Sequence, residues 1–190
     1  LCLLLVNHKM TNLPYVNALM AIMCFHVSRF ESRLVNGEVL SWHEQNRSLW
    51  DKDLINKGNY FLIQATKGEE MTQYHLEAMI AYYHTIEDSE EKWKGILSAY
   101  DLLVQYNPTP FTFLNRAYAI SNAHSPQAAV NEVLKIKGLE SNHLYFAMLG
   151  ELYQEFNKSE ALQYWQKALN LAPLESEKAL IQKKINALSI

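Results

Sequence analysis

The sequence contains little of what marks a secreted, a membrane or a nucleic-acid-binding protein. Its only two cysteines, Cys2 and Cys24, form no C-x-x-C pair, so a disulfide framework or a zinc knuckle is unsupported and a reducing, cytoplasmic setting is favoured. The apolar run 1–6 is too short to span a bilayer and lacks the basic start of a signal peptide. The 17 lysine and arginine residues are scattered, and the formal net charge is −3, which argues against a nucleic-acid surface.

Glycine and proline are also scarce, with 6 and 5 residues among 190, while 49% of the chain is hydrophobic. This composition is typical of an ordered, helix-rich protein and argues against a disordered segment. The length suffices for one domain or for a short helical array with a continuous core. Because the chain begins with leucine in the middle of an apolar run, we expect a fragment of a longer protein.

A repeated helical hairpin pattern occupies the C-terminal half. The segments FAMLGELY (146–153) and ALQYWQKAL (161–169), followed by Pro173, resemble the tetratricopeptide repeat. In that repeat the small residues lie where two antiparallel helices approach closely, and the large ones fill the gaps between hairpins. A similar first-helix pattern at 114–118 lies 35 positions earlier. The predicted repeat core comprises Tyr100, Leu114, Tyr118, Leu149, Gly150, Tyr153, Ala161, Trp165 and Ala168.

Helix boundaries follow from caps and from hydrophobic periodicity. Thr109 and Ser125 each precede a proline at a first helical position, and Asn157 opens a capping-box pattern. The predicted helices span 89–106, 110–122, 125–137, 142–156, 158–171 and 174–188, the last of them capping the array, with 13–34, 48–66 and 70–85 before them. We therefore predict an all-α fold of antiparallel helix hairpins in a short superhelical array. An irregular helical domain is predicted over 1–88 and repeats over 89–190, the whole forming one continuous array.

Three local features of the N-terminal half lead to further predictions. One helical stripe, formed by Val16, Met20, Met23, Val27, Phe30 and Leu34, is predicted to be buried. Gly58, inside the second helix, predicts a close helix contact that justifies its cost of about 1 kcal/mol. The pair Asn36 and Gly37 predicts a tight turn in a small hairpin, the only strand candidate.

No catalytic or metal-binding motif stands out. The seven histidines form no H-x-x-x-H pair, and neither a nucleophile elbow nor a phosphate-binding glycine loop occurs. Asp51 with Asp53, and Glu90 with Glu91, would suit acid–base work, but both pairs lie at predicted helix starts, where carboxylates favour the helix dipole. We expect a binding and regulatory module without cofactor or small-molecule ligand, and not an enzyme.

Three of the four arginines, Arg29, Arg33 and Arg47, are concentrated in the first quarter of the chain. Arginine is preferred where carboxylates or phosphates are bound through two parallel hydrogen bonds. One interpretation is an internal ion-pair network with partners among Glu31, Glu44 and Asp51, and the other is a partner-binding site. We expect Arg33 to be the more structural, and Arg47, near Trp50, the more exposed.

The segments ALMAIMCFHVSRFESR (18–33), EQNRSLWDKDLI (44–55) and YHLEAMIA (74–81) resemble extracytoplasmic-function sigma factors of RNA polymerase that carry a C-terminal tetratricopeptide extension. NRA (115–117) and LGELY (149–153) continue the match in order. The segment 47–51 is specific to that family. Asn46 and His43 depart from it, since the family usually has Asp and an apolar residue there, and the lost charge argues against an acidic contact. The candidate site residues are Arg29, Arg33, Glu44, Gln45, Arg47, Trp50 and Asp51.

The resemblance implies a bacterial cytoplasmic protein whose polymerase- and promoter-binding sigma domains precede this segment and are absent from it. It implies docking on those domains or on RNA polymerase, with DNA contacted only through the missing domains and no membrane partner. The alternatives are a free-standing peptide-binding repeat module or scaffold, and an enzyme on the same scaffold. Peptide capture by such repeats uses rows of basic and amide side chains, and the first helices offer mainly Asn115 and Arg116.

Overall fold

The computed structural model describes residues 1–35, 38–40 and 44–188. Within those ranges the chain consists of α-helices, one 3₁₀-helix and a hairpin of two very short strands. It divides into two compact units, residues 1–106 and 107–190, and each is described by itself. Consecutive helices pack in pairs within the units, which confirms the predicted all-α, repeat-like fold.

The first unit has six helices among its described residues, and these are α1 (Cys2–Asn7), α2 (Pro14–Val27), α3 (Phe30–Arg33), α4 (Lys52–Ala65), α5 (Gln73–Tyr83) and α6 (Glu90–Tyr106). A 3₁₀-helix spans Arg47–Leu49. The strands β1 (Leu34–Val35) and β2 (Glu38–Val39) pair antiparallel, with Leu34 opposite Val39. The predicted small hairpin is therefore confirmed, although its turn residues Asn36 and Gly37 lie outside the described residues.

Small side chains dominate the part of the first unit's core that lies between α2, α4 and α5. Helix α2 packs on α4 and α5, and the buried cluster between them consists of Ala18, Ala21, Phe25, Ala65, Ala78 and Ala81. A Cβ atom on Gly58 would lie 2.5 Å from Cε1 of Phe25, closer than van der Waals contact allows. The close approach predicted at Gly58 is thus confirmed, because only a residue without a side chain lets α4 lie against the Phe25 ring.

This close packing overturns part of the predicted buried stripe. The predicted helix over 13–34 ends at Val27, and the buried positions along α2 and α3 include Ala18, Ala21, Phe25, Ser28 and Ser32. Val16 is buried as predicted and Met20 is half-buried, and the side chain of Leu34 lies outside the description. Met23, Val27 and Phe30 are 46%, 54% and 64% exposed, so the prediction was wrong for these three. Helix α4 selects the small-residue side of α2, which leaves the large apolar side open.

A second cluster joins α5 to α6 through Leu76, Ile80, Ala99 and Leu103, with the half-buried Tyr100 against it. Tyr100, predicted as repeat core, therefore contributes to the first unit. Helix α6 belongs to this unit, so the observed division follows Tyr106, whereas the predicted one followed residue 88.

The second unit contains α7 (Pro110–Ala123), α8 (Pro126–Val133), α9 (His143–Tyr153), α10 (Lys158–Leu171) and α11 (Glu175–Leu188). Side-chain oxygens of Thr109, Ser125 and Asn157 accept hydrogen bonds from backbone N–H groups of the following helices, as the predicted caps require. Helix α8 ends four residues before the predicted position, because i→i−3 hydrogen bonds tighten its last turn and Gly138 then takes φ = 85°.

The hairpin of α9 and α10 has the close packing expected of the repeat. A Cβ atom on Gly150 would lie 2.8 Å from Cδ2 of Trp165. Leu149, Ala161, Trp165 and Ala168 are buried, as is Leu114 of α7, while Tyr118 and Tyr153 are half-buried. Helix α11 covers the hairpin through Ile181.

Candidate binding site

The segment before α4 is shaped by local side-chain caps. The Asn46 side chain accepts a hydrogen bond from the N–H of Ser48 at 3.0 Å and so caps the 3₁₀-helix. The Asp51 carboxylate accepts from the N–H of Leu54 at 2.9 Å and caps α4. These two turns leave Trp50 only 6% exposed. The helix-start interpretation of Asp51 is therefore confirmed, and asparagine at position 46 performs a capping role that needs no charge.

The same segment is joined to the end of α2 by the backbone. The N–H of Asp51 donates a hydrogen bond to the carbonyl of Ser28 at 2.8 Å. Ser28 is itself buried, and its hydroxyl donates to the carbonyl of Phe25 at 2.8 Å. The two sequence segments that contain the arginines therefore meet at the indole of Trp50.

Arg47 connects this segment to the turn after α5. Its Nη2 atom donates hydrogen bonds to the carbonyl oxygens of Thr85 at 2.9 Å and Ile86 at 2.6 Å. Its Cζ atom lies 4.7 Å from the centroid of the Trp50 ring, within the range of a cation–π contact. Arg47 is exposed, as predicted, yet it satisfies carbonyls that follow a helix end and thereby holds two parts of the unit together.

Arg29 lies near the same ring in a different environment. It is half-buried, and its Cζ atom lies 5.8 Å from the centroid of Trp50. Among the described residues, its guanidinium forms no hydrogen bond or ion pair. Burial lowers the pKa of Arg29, and the nearby Arg33 lowers it further. A desolvated cation without a counter-charge is costly in free energy, so a carboxylate brought to Arg29 would find a strong electrostatic attraction.

The remaining predicted site residues lie around this centre. Arg33 is exposed, as Arg47 is, so the expectation that Arg33 is the more structural of these two arginines stays a prediction. Glu44 is also exposed, and the Gln45 amide donates to the carbonyl of Leu40 at 3.3 Å. Of the acids considered as network partners, Asp51 uses its carboxylate to cap α4. The choice between an internal network and a partner site stays a prediction, and His43 lies outside the described residues.

Sequence reasoning missed a buried lysine beside these arginines. The Lys92 side chain is 0% exposed, and its Nζ atom lies 3.3 Å from Oδ1 of Asp88. That same oxygen accepts a hydrogen bond from Nε1 of Trp93 at 2.8 Å. Nothing in the spacing distinguishes Lys92 from the exposed Lys94, which pairs with Glu90 one turn earlier. Only the packing of α6 determines which lysine is buried.

The charged groups influence one another. Burial lowers the pKa of Lys92, the Asp88 carboxylate acts in the opposite direction, and Arg47 and Arg29 lower it further. His84, whose ring centroid lies 6.0 Å from that of Trp93, has its pKa lowered to about 3 by burial and by the nearby Arg29 and Lys92, against the opposing effect of Asp88. His84 is therefore neutral near pH 7, whereas Lys92 is paired with Asp88.

A shallow depression lies elsewhere in the first unit. Its volume is about 240 Å³, and Pro14, Tyr15, Glu70 and His75 contribute to its walls. Both ring nitrogens of His75 have partners, since Nδ1 contacts Thr72 and Nε2 lies 3.2 Å from the carbonyl of Ala65. His75 therefore stabilises the start of α5, and the depression brings no free imidazole to a ligand.

The described residues contain neither a metal-binding cluster nor a membrane-spanning helix. No cluster of three or more histidine, cysteine or acidic side chains in the described ranges could hold a metal ion. Of the helices that the structure describes, none combines the length and the apolar character needed to cross a membrane.

Comparison with known proteins gives two similarities. Residues 1–66 match the model of DUF6596, a family of unknown function. Over 181 residues the chain is 28% identical to "Uncharacterized protein R00370" of Rhizobium meliloti (strain 1021). The alignment covers 93% of this chain and 43% of that protein, so the chain spans less than half of this relative. No solved structure matches the chain.

Proposed function

We propose that this chain is the C-terminal regulatory and protein-interaction domain of a bacterial sigma factor, acting in transcription initiation in the cytoplasm. Its partners are the sigma domains of its own protein or RNA polymerase, and DNA is contacted only by those upstream domains. In this role the domain binds protein surfaces and carries out no reaction of its own.

The observation that carries the proposal is the meeting of two resemblance segments at Trp50. Residues 18–33 and 44–55 both resemble the sigma-factor family, with 47–51 the specific part, and they supply Arg29 and Arg47 to the same ring. Leu49 and Phe30, the chain neighbours of Trp50 and Arg29, are 50% and 64% exposed, and exposed aromatic and arginine residues are enriched at binding hot spots. A segment built in this way favours an interaction with protein over catalysis.

The long rhizobial relative is compatible with this proposal. The aligned segment makes up 43% of that protein, so there the region occurs together with other sequence in one polypeptide. A regulatory domain attached to a sigma module would have this arrangement.

The alternative, a free-standing peptide-binding repeat module, has less support. Arg116, the only arginine of α7, has its Nη1 atom 3.6 Å from Oε2 of Glu132. Its charge is thus already partly neutralised within the second unit, and Asn115 remains as the exposed polar side chain of the expected clamp. A peptide carboxylate would have to compete with Glu132 for this arginine.

Promoter-dependent transcription by the complete protein tests the proposal. The full-length gene product, purified and added to core RNA polymerase, should direct transcripts from specific start sites. Deletion of residues 1–190 should change the yield at least fivefold if the domain regulates the sigma module. A gene that encodes no promoter-reading helices, or a full-length protein that gives no specific transcript, would contradict the proposal.

A further inference from the structure

Helix α11 lies on the hairpin of α9 and α10 with very little of its own surface buried. Among its residues Glu175–Leu188 only Ile181 is buried, at 5% exposure, whereas α9 buries four residues and α10 three. Elements with few buried apolar contacts are the first to open in a folded protein. The cluster that Ile181 joins is strongly apolar, and its other buried members are Ala161, Trp165, Ala168 and Ala172.

Two charged contacts join α11 to α9 and fix its direction. Near the start of both helices, Oε2 of Glu177 lies 3.6 Å from Nε2 of His143. Further along both helices, Nζ of Lys184 lies 3.3 Å from Oε2 of Glu151. Glu177, Ile181 and Lys184 are spaced i, i+4 and i+7, so they share one face of α11. We call the surface beneath this face, formed by His143, Glu151 and the buried cluster, the α11 groove.

The contact that α11 makes at His143 is incomplete. The Nε2 atom of His143 is buried and has no hydrogen-bond partner within the described residues, because 3.6 Å to Glu177 exceeds hydrogen-bond range. The same Glu177 oxygen accepts a hydrogen bond from the N–H of Leu174 at 3.4 Å, which ties it to the start of α11. A buried polar atom without a partner costs free energy. With the proton on Nε2, a carboxylate that is not tied in this way would bind His143 better than Glu177 does.

We propose that α11 is a displaceable strap, and that the α11 groove binds an amphipathic helix of a partner protein in its place. The partner helix carries an acidic residue, an apolar residue four positions later and a basic residue three positions after that. It covers the apolar cluster as α11 does and supplies the hydrogen bond that His143 lacks. All these contacts lie within the second unit, so the strap does not depend on whether the chain belongs to a sigma factor.

Charge complementarity fixes the chemistry and the direction of the partner helix. His143 and Glu151 lie about two turns apart on α9, with the imidazole first and the carboxylate second. A helix that entered in the opposite direction would bring its acidic residue to Glu151, and like charges at close range are unfavourable. The α11 of a second copy has no advantage over the chain's own α11, because the tethered helix has the higher effective concentration at the groove.

Hydrogen exchange of the 190-residue chain tests whether α11 opens by itself. We expect the backbone amides of α11 to exchange at least tenfold faster than those of α10, after correction for their intrinsic rates, because α11 can leave without unfolding the hairpin. Helix α10 is the matched control, since both helices contain 14 residues. Equal protection of the two helices would show that they open together and would refute the strap.

A fluorescently labelled peptide of residues 174–188 tests whether the groove accepts a helix from outside. By fluorescence anisotropy, it should bind the Ile181→Ala chain at least tenfold more tightly than the wild-type chain, because the variant strap loses its one buried side chain. Leu180→Ala is the matched control, since Leu180 is 41% exposed, and it should bind as weakly as wild type. A peptide that itself carries Ile181→Ala should bind the variant chain at least tenfold more weakly.

Charge variants in the Ile181→Ala chain test the required pattern. Glu151→Gln should weaken peptide binding at least threefold, whereas Glu155→Gln, which changes an exposed carboxylate after α9, should leave it unchanged. A peptide with both Glu177→Lys and Lys184→Glu, which reverses the order of charges, should not bind. A thermal melt of each variant verifies folding. Should Ile181→Ala not fold, Lys184→Ala carries the test, because it removes only the ion pair to Glu151, and we expect it to strengthen peptide binding at least threefold.

Three results with the peptide would overturn the inference. These are equal binding to the wild-type and the strap-variant chains, binding that neither Glu151→Gln nor the reversed peptide changes, and a size-exclusion profile in which the strap variant forms a dimer and binds no peptide. The last result would assign the groove to a second copy. None of the three bears on the proposed function, because promoter-dependent transcription by the complete protein is measured separately.

Discussion

The contrast between Arg47 and Arg29 leads to a quantitative prediction for the 190-residue chain. Arg47→Ala removes two hydrogen bonds to the carbonyls of Thr85 and Ile86, together with the closer cation–π contact to Trp50. Hydrogen bonds to charged groups contribute about 1.5–3 kcal/mol each. Because Arg47 is exposed, water replaces part of this, so we expect a loss of about 1–2 kcal/mol in the free energy of unfolding.

Arg29→Ala should behave differently although both side chains lie over the same ring. The described structure shows no hydrogen bond or ion pair of its guanidinium to lose. The cation–π contact at 5.8 Å is worth about 0.5–1 kcal/mol, and removal of a desolvated charge offsets it. We therefore expect a change within about 0.5 kcal/mol of zero.

Urea denaturation followed by tryptophan fluorescence, at low and at high salt, measures both changes. Arg47→Lys serves as the matched control, because it keeps the charge but reaches only one carbonyl at a time, and it should fall between wild type and Arg47→Ala. The reasoning would be refuted if Arg29→Ala destabilised the chain more than Arg47→Ala, or if Arg47→Ala had no measurable effect.

Three further predictions concern the rest of the molecule. Trp165→Ala should lower the free energy of unfolding by about 3–5 kcal/mol, since Trp165 is buried against Gly150. The control, Phe156→Ala, should lower it by less than about 1 kcal/mol, because Phe156 is 45% exposed. Equal losses of stability in thermal melts would contradict the position of Trp165 in the core. The pKa of His84 is lowered to about 3 in the folded chain. Its neutral form therefore contributes stability that is complete above the unfolded pKa of about 6.5 and is lost as the pH falls toward 3. His84→Gln should flatten this part of a plot of unfolding free energy against pH, and a plot parallel to that of the wild type would refute the prediction. The isolated chain should not bind promoter DNA in gel-shift assays, because its net charge is −3 and few phosphates would be neutralised; sub-micromolar, salt-dependent binding would overturn this.

Much of the fold could be predicted because local signals determine it. The caps at Thr109, Ser125 and Asn157 act within three residues of themselves, and the structure has them where the sequence indicated. Gly58 and Gly150 were recognisable because a glycine inside a helix is unfavourable unless another residue needs the space, and each lies against an aromatic ring.

The tertiary structure decided which side of α2 became the core and which charges became buried. The pattern of α2 contains both a large apolar stripe and a small-residue stripe, and periodicity alone favoured the larger. The close approach of α4 at Gly58 selected the smaller one and left Phe30 exposed. Likewise, Lys92 and Lys94 are equivalent in sequence, but only Lys92 is buried. Hydrophobic spacing determines that a helix has a preferred face, whereas the identity of the face depends on the shape of the neighbour that packs against it.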